Sequence, residues 1–461
     1  MKYKNKLVIL FLILGALCLN IKAQKPKLIE FGWDYPDVLQ LSRSLPDMQN
    51  TPFDGICFSI QRSIMEAFDT TVHKEVYFEY KKIKELQWGK YSENYIILRG
   101  YGPNGARWFD DKMWRIFTQN IKALSKAMYV GKIRGILFDP EYYNDNPLYN
   151  PWVYDKTKYP YCSLKEVQLK VKQRGRQFIQ SLQSSQTEIS FLSVWLTSLI
   201  AEDLKILPLK DTRHVLLMSF FEGILEAKLK TVKVIDGNEY AYWYTRPSQF
   251  LESTDKLKKK ISALMKSKKA KLEAGNLSIA QPVYYDGLMA KIPLFERSLD
   301  NIFKWNWLQE NLKFAMASTD EIVWFYSESI NWWQKNINDT LVQVLQDSKL
   351  MYNSSAIIKS KKAGITVNKG YWYKADSKRP MKMEAIAFTF KWDDSTKNLQ
   401  ITFNNKVPDK VMIYINNITP TILYPKGFLV NINLEKFNKG KMKLMAKYDD
   451  NLEASGLTFL E

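Results

Sequence analysis

The stretch Arg134–Pro147 reads RGILFDPEYYNDNP. Ile136, Leu137 and Phe138 are apolar at consecutive positions, without the alternation of a strand that keeps one face in water. A run of this length that is apolar on both faces suits a strand of a parallel sheet covered on both sides by helices. It then stops abruptly at Asp139, Pro140 and Glu141. Two carboxylates one residue apart, followed by aromatic and amide side chains, mark the end of a buried strand as a place where chemistry can occur.

Seven other runs share this character. They are LIEFGW (28–33), GICFSI (55–60), YIILRG (95–100), ISFLSVW (189–195), HVLLMSF (214–220), VKVIDG (232–237) and IVWFYS (322–327). Stretches of helical period follow several of them, such as DDKMWRIFTQNIKALSKAMYV and LKEVQLKVKQRGRQFIQSLQS. Eight strands with interleaved helices predict an α/β fold, a (β/α)8 TIM barrel over residues 24–345. The segment LSIAQPVYYDG (277–287) is left open between an extra strand and the true eighth. After about residue 352 the runs shorten and alternate, with Asn, Asp, Gly and Pro between them. That pattern predicts a C-terminal antiparallel β-sandwich over residues 353–461.

The first 23 residues carry three lysines ahead of an apolar run from Leu7 to Leu19, and Ala23 before Gln24. This is the pattern of a secretory signal peptide, and it predicts an exported, periplasmic or extracellular protein. A retained N-terminal anchor is the alternative. Removing the leader takes away four lysines and lowers the formal net charge from +19 to +15. The basic residues are scattered or lie on helical surface stretches, and no nucleic-acid-binding motif accompanies them, so nucleic acid is not expected as a partner. Cys57 and Cys162 are the cysteines beyond the leader; two buried free thiols are expected, and sequence does not decide their pairing. Oligomeric state is not legible.

In a barrel of this kind function gathers just past the C-terminal ends of the strands. Read off the eight runs, those positions hold Asp34, Arg99, Asp139, Glu141, Trp195, Glu222, Asp236, Glu239, Tyr242, Trp243, Tyr326, Glu328 and Trp332. Concentrated carboxylates repel one another and cost stability, so a purely structural end has no reason to collect them. Glycoside hydrolysis does, since it needs one protonated acid and one ionised carboxylate. The 14 Trp, 26 Tyr and 24 Phe residues supply faces on which sugar rings can stack.

Plainer roles stand beside each of these. Asp139 before Pro140 and Asp236 in DGNE suit turns. Glu222 and Glu328 suit helix starts. Arg99 either pairs with an acid structurally or lowers the pKa of the one that stays ionised. No cofactor or metal is expected: His73 and His214 are the only histidines, too few for a zinc site. A carboxylate-only magnesium or calcium site stays open.

On FDPEYY and VIDGNEYAYWY the chain resembles (β/α)8 glycoside hydrolases over about residues 25–345. In the large retaining clan of such barrels the acid/base glutamate follows strand 4 and the nucleophile follows strand 7. The resemblance therefore implies Glu141 as general acid/base and Glu239 as nucleophile or second carboxylate, with Asp139 and Asp236 assisting. The clan's usual Asn before the strand-4 glutamate is Pro140 here. FDPEYY is also similar to the Asp-x-Glu-Tyr end of the family 18 chitinase motif, through Asp139, Glu141 and Tyr142; that motif's two earlier aspartates fall on Arg134 and Leu137. In that scheme Asp139 orients a substrate acetamido group. The chain is similar, too, to exported bacterial proteins carrying FGWDYPD, PFDGI, FDPE and DGNE segments. The expected activity is hydrolysis of an oligo- or polysaccharide. The rival is a non-catalytic carbohydrate-binding protein on the same barrel, in which one of the two glutamates points away or is neutralised by a fixed cation.

Overall fold

The computed structural model describes residues 26–61, 65–70, 72–203, 214–244, 247–289, 301–333 and 337–354. In the C-terminal part it describes 357–358, 366–374, 386–393, 396, 398–404, 406–415, 420–433, 440–449 and 452–460. The signal-like leader lies outside these residues.

Parallel strands form a ring in the order of the chain: β1 (Lys27–Gly32), β2 (Gly55–Phe58), β3 (Tyr95–Arg99), β4 (Gly135–Asp139), β5 (Ser190–Ser193) and β6 (Lys233–Asp236). The seventh strand, β7, comes in two pieces, Ser278–Ile279 and Gln281–Tyr284, and β8 is Ile322–Ser327. The first piece of β7 pairs with β6 and the second with β8. Ala280 between them donates its N–H to the Asp236 carbonyl at 2.8 Å. β8 in turn pairs with β1 over six residues, from Lys27↔Ile322 to Gly32↔Ser327, which closes the ring.

Helices cover the outside: α1 (Val38–Met48), α2 (Val72–Glu85), α3 (Asp111–Gly131), α4 (Leu164–Leu182), α5 (Val215–Ala227), α6 (Pro247–Leu264), α7 (Asn301–Ser318) and α8 (Asp339–Ser354). Their starts are written in the sequence. The Asp37 carboxylate accepts from Gln40 N–H at 2.7 Å, Asp110 accepts from Met113 N–H at 3.0 Å, and Ser163 and Glu166 form a reciprocal capping box. None of the described helices is long and apolar enough to cross a membrane.

The strand count differs from the sequence reading at one place, with consequences for the site. HVLLMSF is not the sixth strand. His214 caps α5, and Val215 through Leu225 are all buried. A helix buried on every side shows no 3.6-residue period, so composition alone reads it as a strand. VKVIDG therefore supplies the sixth strand rather than the seventh, and the segment left open at 277–287 is the seventh.

The C-terminal part is β9 (Ile357–Ile358), β10 (Thr366–Lys374), β11 (Ile386–Asp393), β12 (Asn398–Phe403), β13 (Lys410–Ile415), β14 (Thr421–Leu423), β15 (Leu429–Asn433), β16 (Gly440–Asp449) and β17 (Leu452–Leu460). They run in the sheet order β14-β13-β16-β17-β10-β11-β12-β15, antiparallel throughout, with β9 added parallel to β17. This sheet folds into a β-sandwich over one apolar core to which β11, β12, β13 and β16 all contribute. Strand alternation assigns the two faces of β13 and β16. Val411, Ile413, Met442, Leu444 and Ala446 face the sandwich core, whereas Met412, Tyr414 and Met445 join the barrel's core cluster. The Lys447 ammonium meets the Glu252 carboxylate on α6 at 2.9 Å beside that apolar contact.

Cys57 is buried and Cys162 half-buried, and both are free thiols. Gly135 opens β4 opposite Ser190. A Cβ there would stand 1.8 Å from the Ser190 carbonyl oxygen, a backbone atom that cannot swing away. Gly135→Ala is accordingly expected to destabilise the barrel by about 1–3 kcal/mol, seen as a lower urea midpoint at unchanged slope. An unchanged midpoint would show that β4 and β5 are not pressed together here.

Candidate functional site

Among the described residues, every strand but the second sends residues from its C-terminal end to one cavity of about 390 Å³. β1 contributes Phe31, Gly32, Trp33 and Tyr35; β3, Ile97 and Arg99; β4, Asp139, Glu141 and Tyr143. Val194 comes from beyond β5, Glu239, Tyr242 and Trp243 from beyond β6, Tyr284 from β7, and Tyr326 and Glu328 from β8.

The β4 loop is set by its own sequence. The Asp139 carboxylate accepts from Glu141 N–H at 3.0 Å, closing a turn over Pro140, while the Pro140 carbonyl accepts from Trp152 Nε1–H at 2.8 Å. Asp139 thus caps a turn and lines the cavity at once. The turn aims Glu141 outward into the mouth, where the Tyr143 hydroxyl donates to its Oε2 at 2.8 Å. The Trp33 ring meets Tyr143 edge-on at 6.4 Å, so the β1 and β4 loops touch across the opening.

The DGNE segment does the same for β6. Gly237 lies so close to β5 that a Cβ would stand 2.4 Å from the Val194 carbonyl oxygen and 2.5 Å from that of Ser193. Asn238 takes the left-handed conformation at φ 52°. Chain direction reverses there, Glu239 N–H donates to the Val194 carbonyl at 3.2 Å, and Glu239 begins a 3-10 turn, Glu239–Trp243, that points into the cavity.

Beneath the carboxylates lies an aromatic floor. Tyr242 stacks on Tyr326 at 5.3 Å and 12°, and touches Tyr284 at 4.8 Å and Trp324 at 5.3 Å. Trp324 Nε1–H is tied to the Gly237 carbonyl at 2.8 Å, joining the floor to the loop that carries Glu239. Tyr284 also donates to Glu328 at 3.0 Å.

The electrostatics follow from this burial. Removal from water pushes Asp139 up to about 7, with Glu141 adding repulsion. Glu239 is pushed up to about 8, first by burial and then by Asp139, Glu141 and Asp236. Tyr143 and Tyr242 are held well above the usual phenol range by burial, with the carboxylates adding to it. The site therefore keeps protons on carboxyls that would have lost them in water.

Of the thirteen residues singled out from the sequence, Arg99, Asp139, Glu141, Glu239, Tyr242, Trp243, Tyr326 and Glu328 line the cavity. The other five do not. Asp236 is wholly buried and spent on structure, accepting from the N–H groups of Leu196, Thr197 and Asn238 and from the hydroxyls of Thr197 and Ser198. It positions the β5 and β6 loops and raises the Glu239 pKa from a distance. Glu222 sits in the helical layer on α5, paired with Lys172 at 3.0 Å and accepting from Ser267 N–H, because its segment is a helix and not a strand. Trp195 is buried edge-on against His214 at 4.6 Å. Trp332 is buried on Phe53 at 4.7 Å, and Asp34 accepts from the Trp332 N–H at 2.8 Å, so both fasten the β1 and β8 loops from behind. Burial pushes Asp34 up to about 6. Its neighbour Glu30 is fully buried and held well above the usual range, first by burial and then by the Asp34 charge.

Arg99 lowers the pKa of Asp139 and of Glu66, in each case against a larger effect of burial. Among the described residues it makes no ion pair, and its charge is the smallest named influence on Asp139. Sequence reading missed Trp33, Tyr143 and Tyr284. Trp33 and Tyr143 lie within FGWDYPD and FDPEYY, one or two positions from residues that were chosen. Tyr284 was hidden by the misplaced sixth strand.

No family model and no curated protein matches the chain. Solved structures with a similar course include an endo-β-1,4-mannanase of Cellulomonas fimi, 7% identical over 94% of this chain and 94% of that one, at TM-score 0.34. A broad-specificity endoglucanase of Bacteroides salanitronis is 11% identical over 68% and 84%, at TM-score 0.33. A β-glucuronidase of Bacteroides uniformis is 9% identical over 95% of this chain and 46% of that one, at TM-score 0.34.

Proposed function

We propose that this chain is an exported glycoside hydrolase that cleaves a glycan at the C-terminal mouth of its barrel. The observation that carries the reading is the convergence of Asp139 and Glu141 from β4 with Glu239 from beyond β6 on one aromatic-walled cavity. Glycosyl transfer to water needs a proton donor for the leaving oxygen and an ionised carboxylate on the other side of the sugar. Those two requirements are opposite, and the site separates them by environment.

The division of roles differs from the one the resemblance implied. Glu239 follows the sixth strand, so the strand-7 nucleophile slot gives it no role. Its buried carboxyl, raised to about 8, carries a proton at neutral pH and suits the general acid. Glu141 is exposed at the mouth and accepts a hydrogen bond from the Tyr143 hydroxyl. It suits the nucleophile or base, with Asp139 behind it fixing the loop and holding a further proton. A binding-only relic would have one of these glutamates neutralised by a fixed cation. Among the described residues neither Glu141 nor Glu239 has such a partner, and both line the cavity.

Turnover decides the matter. In Glu141→Gln and in Glu239→Gln, kcat on a cleaved glycan should fall by about 10²–10⁴-fold with binding nearly intact. Normal hydrolysis by either variant removes that residue from the chemistry.

The raised carboxyls also make a stability prediction. Asp139 at about 7 and Glu239 at about 8 lie above the ordinary carboxylate range near 4. Between about pH 4 and about pH 8 the folded chain thus binds more protons than the unfolded one, and stability falls as pH rises through that window. Thermal midpoints measured across it should decline, and Glu239→Gln should flatten the slope. A variant slope as steep as the wild type's would mean that Glu239 titrates normally.

A further inference from the structure

Among the described residues that line the cavity, Arg99 is the one cation. It ends β3, paired in register with Asp139 at the end of β4. Its guanidinium lies 5.3 Å from the centre of the Tyr143 ring and 6.0 Å from that of Tyr101, and the two rings fix where it stands. Its Nε is buried without a hydrogen-bond partner; the guanidinium bonds to the Tyr101 side chain, and among the described residues it forms no ion pair.

A half-buried guanidinium without a direct ion pair is costly, because desolvation is not repaid. Two carboxyls flank it in register, Glu66 on one side and Asp139 on the other, and neither repays it in full. Glu66 is raised by burial and by Asp69, with Arg99 opposing. Asp139 is raised to about 7 and is largely neutral below that pH. Glu328 stands away from Arg99, with β2 and β1 between their strands, and accepts from Tyr284. The unpaired charge faces the space a sugar would occupy.

We infer that Arg99 receives an anionic substituent of the glycan, a carboxylate or a sulfate, and that the substrate is an acidic polysaccharide. This rests on the glycan reading proposed above and narrows it. A planar guanidinium meets either anion through two parallel N–H donors. Tyr143 would then contact both ends of the interaction, through its ring to Arg99 and its hydroxyl to Glu141, so that seating the anion also seats the sugar beside the carboxylates. The formal charge of +15 that remains beyond the leader favours approach of a polyanion to the whole chain.

Binding to the full chain carrying Glu141→Gln tests this without asking for turnover. The probes are oligosaccharides bearing glucuronate, galacturonate, mannuronate or sulfate, each paired with its methyl-esterified or desulfated counterpart, measured by calorimetry. At least one charged member should bind about tenfold or more tighter than its neutral twin, and the preference should weaken with salt. Adding Arg99→Met should bring that pair to parity, while Arg99→Lys, which keeps the charge and loses the fork, should retain part of it. The uronate and sulfate arms tell the two anions apart. Equal binding of charged and neutral members, a preference that survives Arg99→Met, or no binding to any member overturns the inference. If the preference is found but the wild type cleaves nothing, the hydrolase reading fails and the anion site stands.

Discussion

The pairing of β8 with β1, six residues in register from Lys27↔Ile322 to Gly32↔Ser327, is the constraint on which the rest depends. It closes a sheet that would otherwise have two open edges, and it fixes every strand end at the same rim. The seventh strand completes the closure by splitting at Ala280, one piece to β6 and one to β8. Because the strands are parallel, all of their C-terminal ends reach one mouth. That carboxylates from segments about a hundred residues apart share one cavity is a consequence of that closure.

The rim converts geometry into electrostatics. The floor of Tyr242, Tyr326, Tyr284 and Trp324 excludes water beneath the carboxyls, and burial heads the causes that raise both Asp139 and Glu239. Glu141 sits further out and is held by a phenol hydroxyl. The acids that line the cavity thus lie at different depths, and burial raises the two deep ones, Asp139 and Glu239. Wholly spent acids stand behind them. Asp236 ties the loops of β5 and β6, and Asp34 ties those of β1 and β8. These interactions keep a mouth built from seven segments in one arrangement.

The sandwich is fastened to the barrel by the alternation of its own strands. Successive residues of β13 and β16 face opposite ways, so Met412, Tyr414 and Met445 pack on the barrel while their neighbours fill the sandwich core. Lys447 and Glu252 pair beside that contact, where partial exposure and screening leave an ion pair a small contribution.

Much of this was legible in the amino-acid order. Continuous apolar runs ending in polar residues declared parallel strands, and the alternating C-terminal runs declared the sandwich. FDPE and DGNE fixed their own turns, because Asp139, Gly237 and Asn238 act on atoms within a few residues or on the next strand. Tertiary structure alone decided the rest. HVLLMSF and the buried strands have the same composition, and burial on every side erases the period that separates helix from strand, so the index of each later strand had to come from pairing. Whether a carboxylate such as Asp236 or Glu222 faces the cavity or is consumed by backbone N–H groups and a lysine depends on what lies across the fold, a relation that no single segment carries.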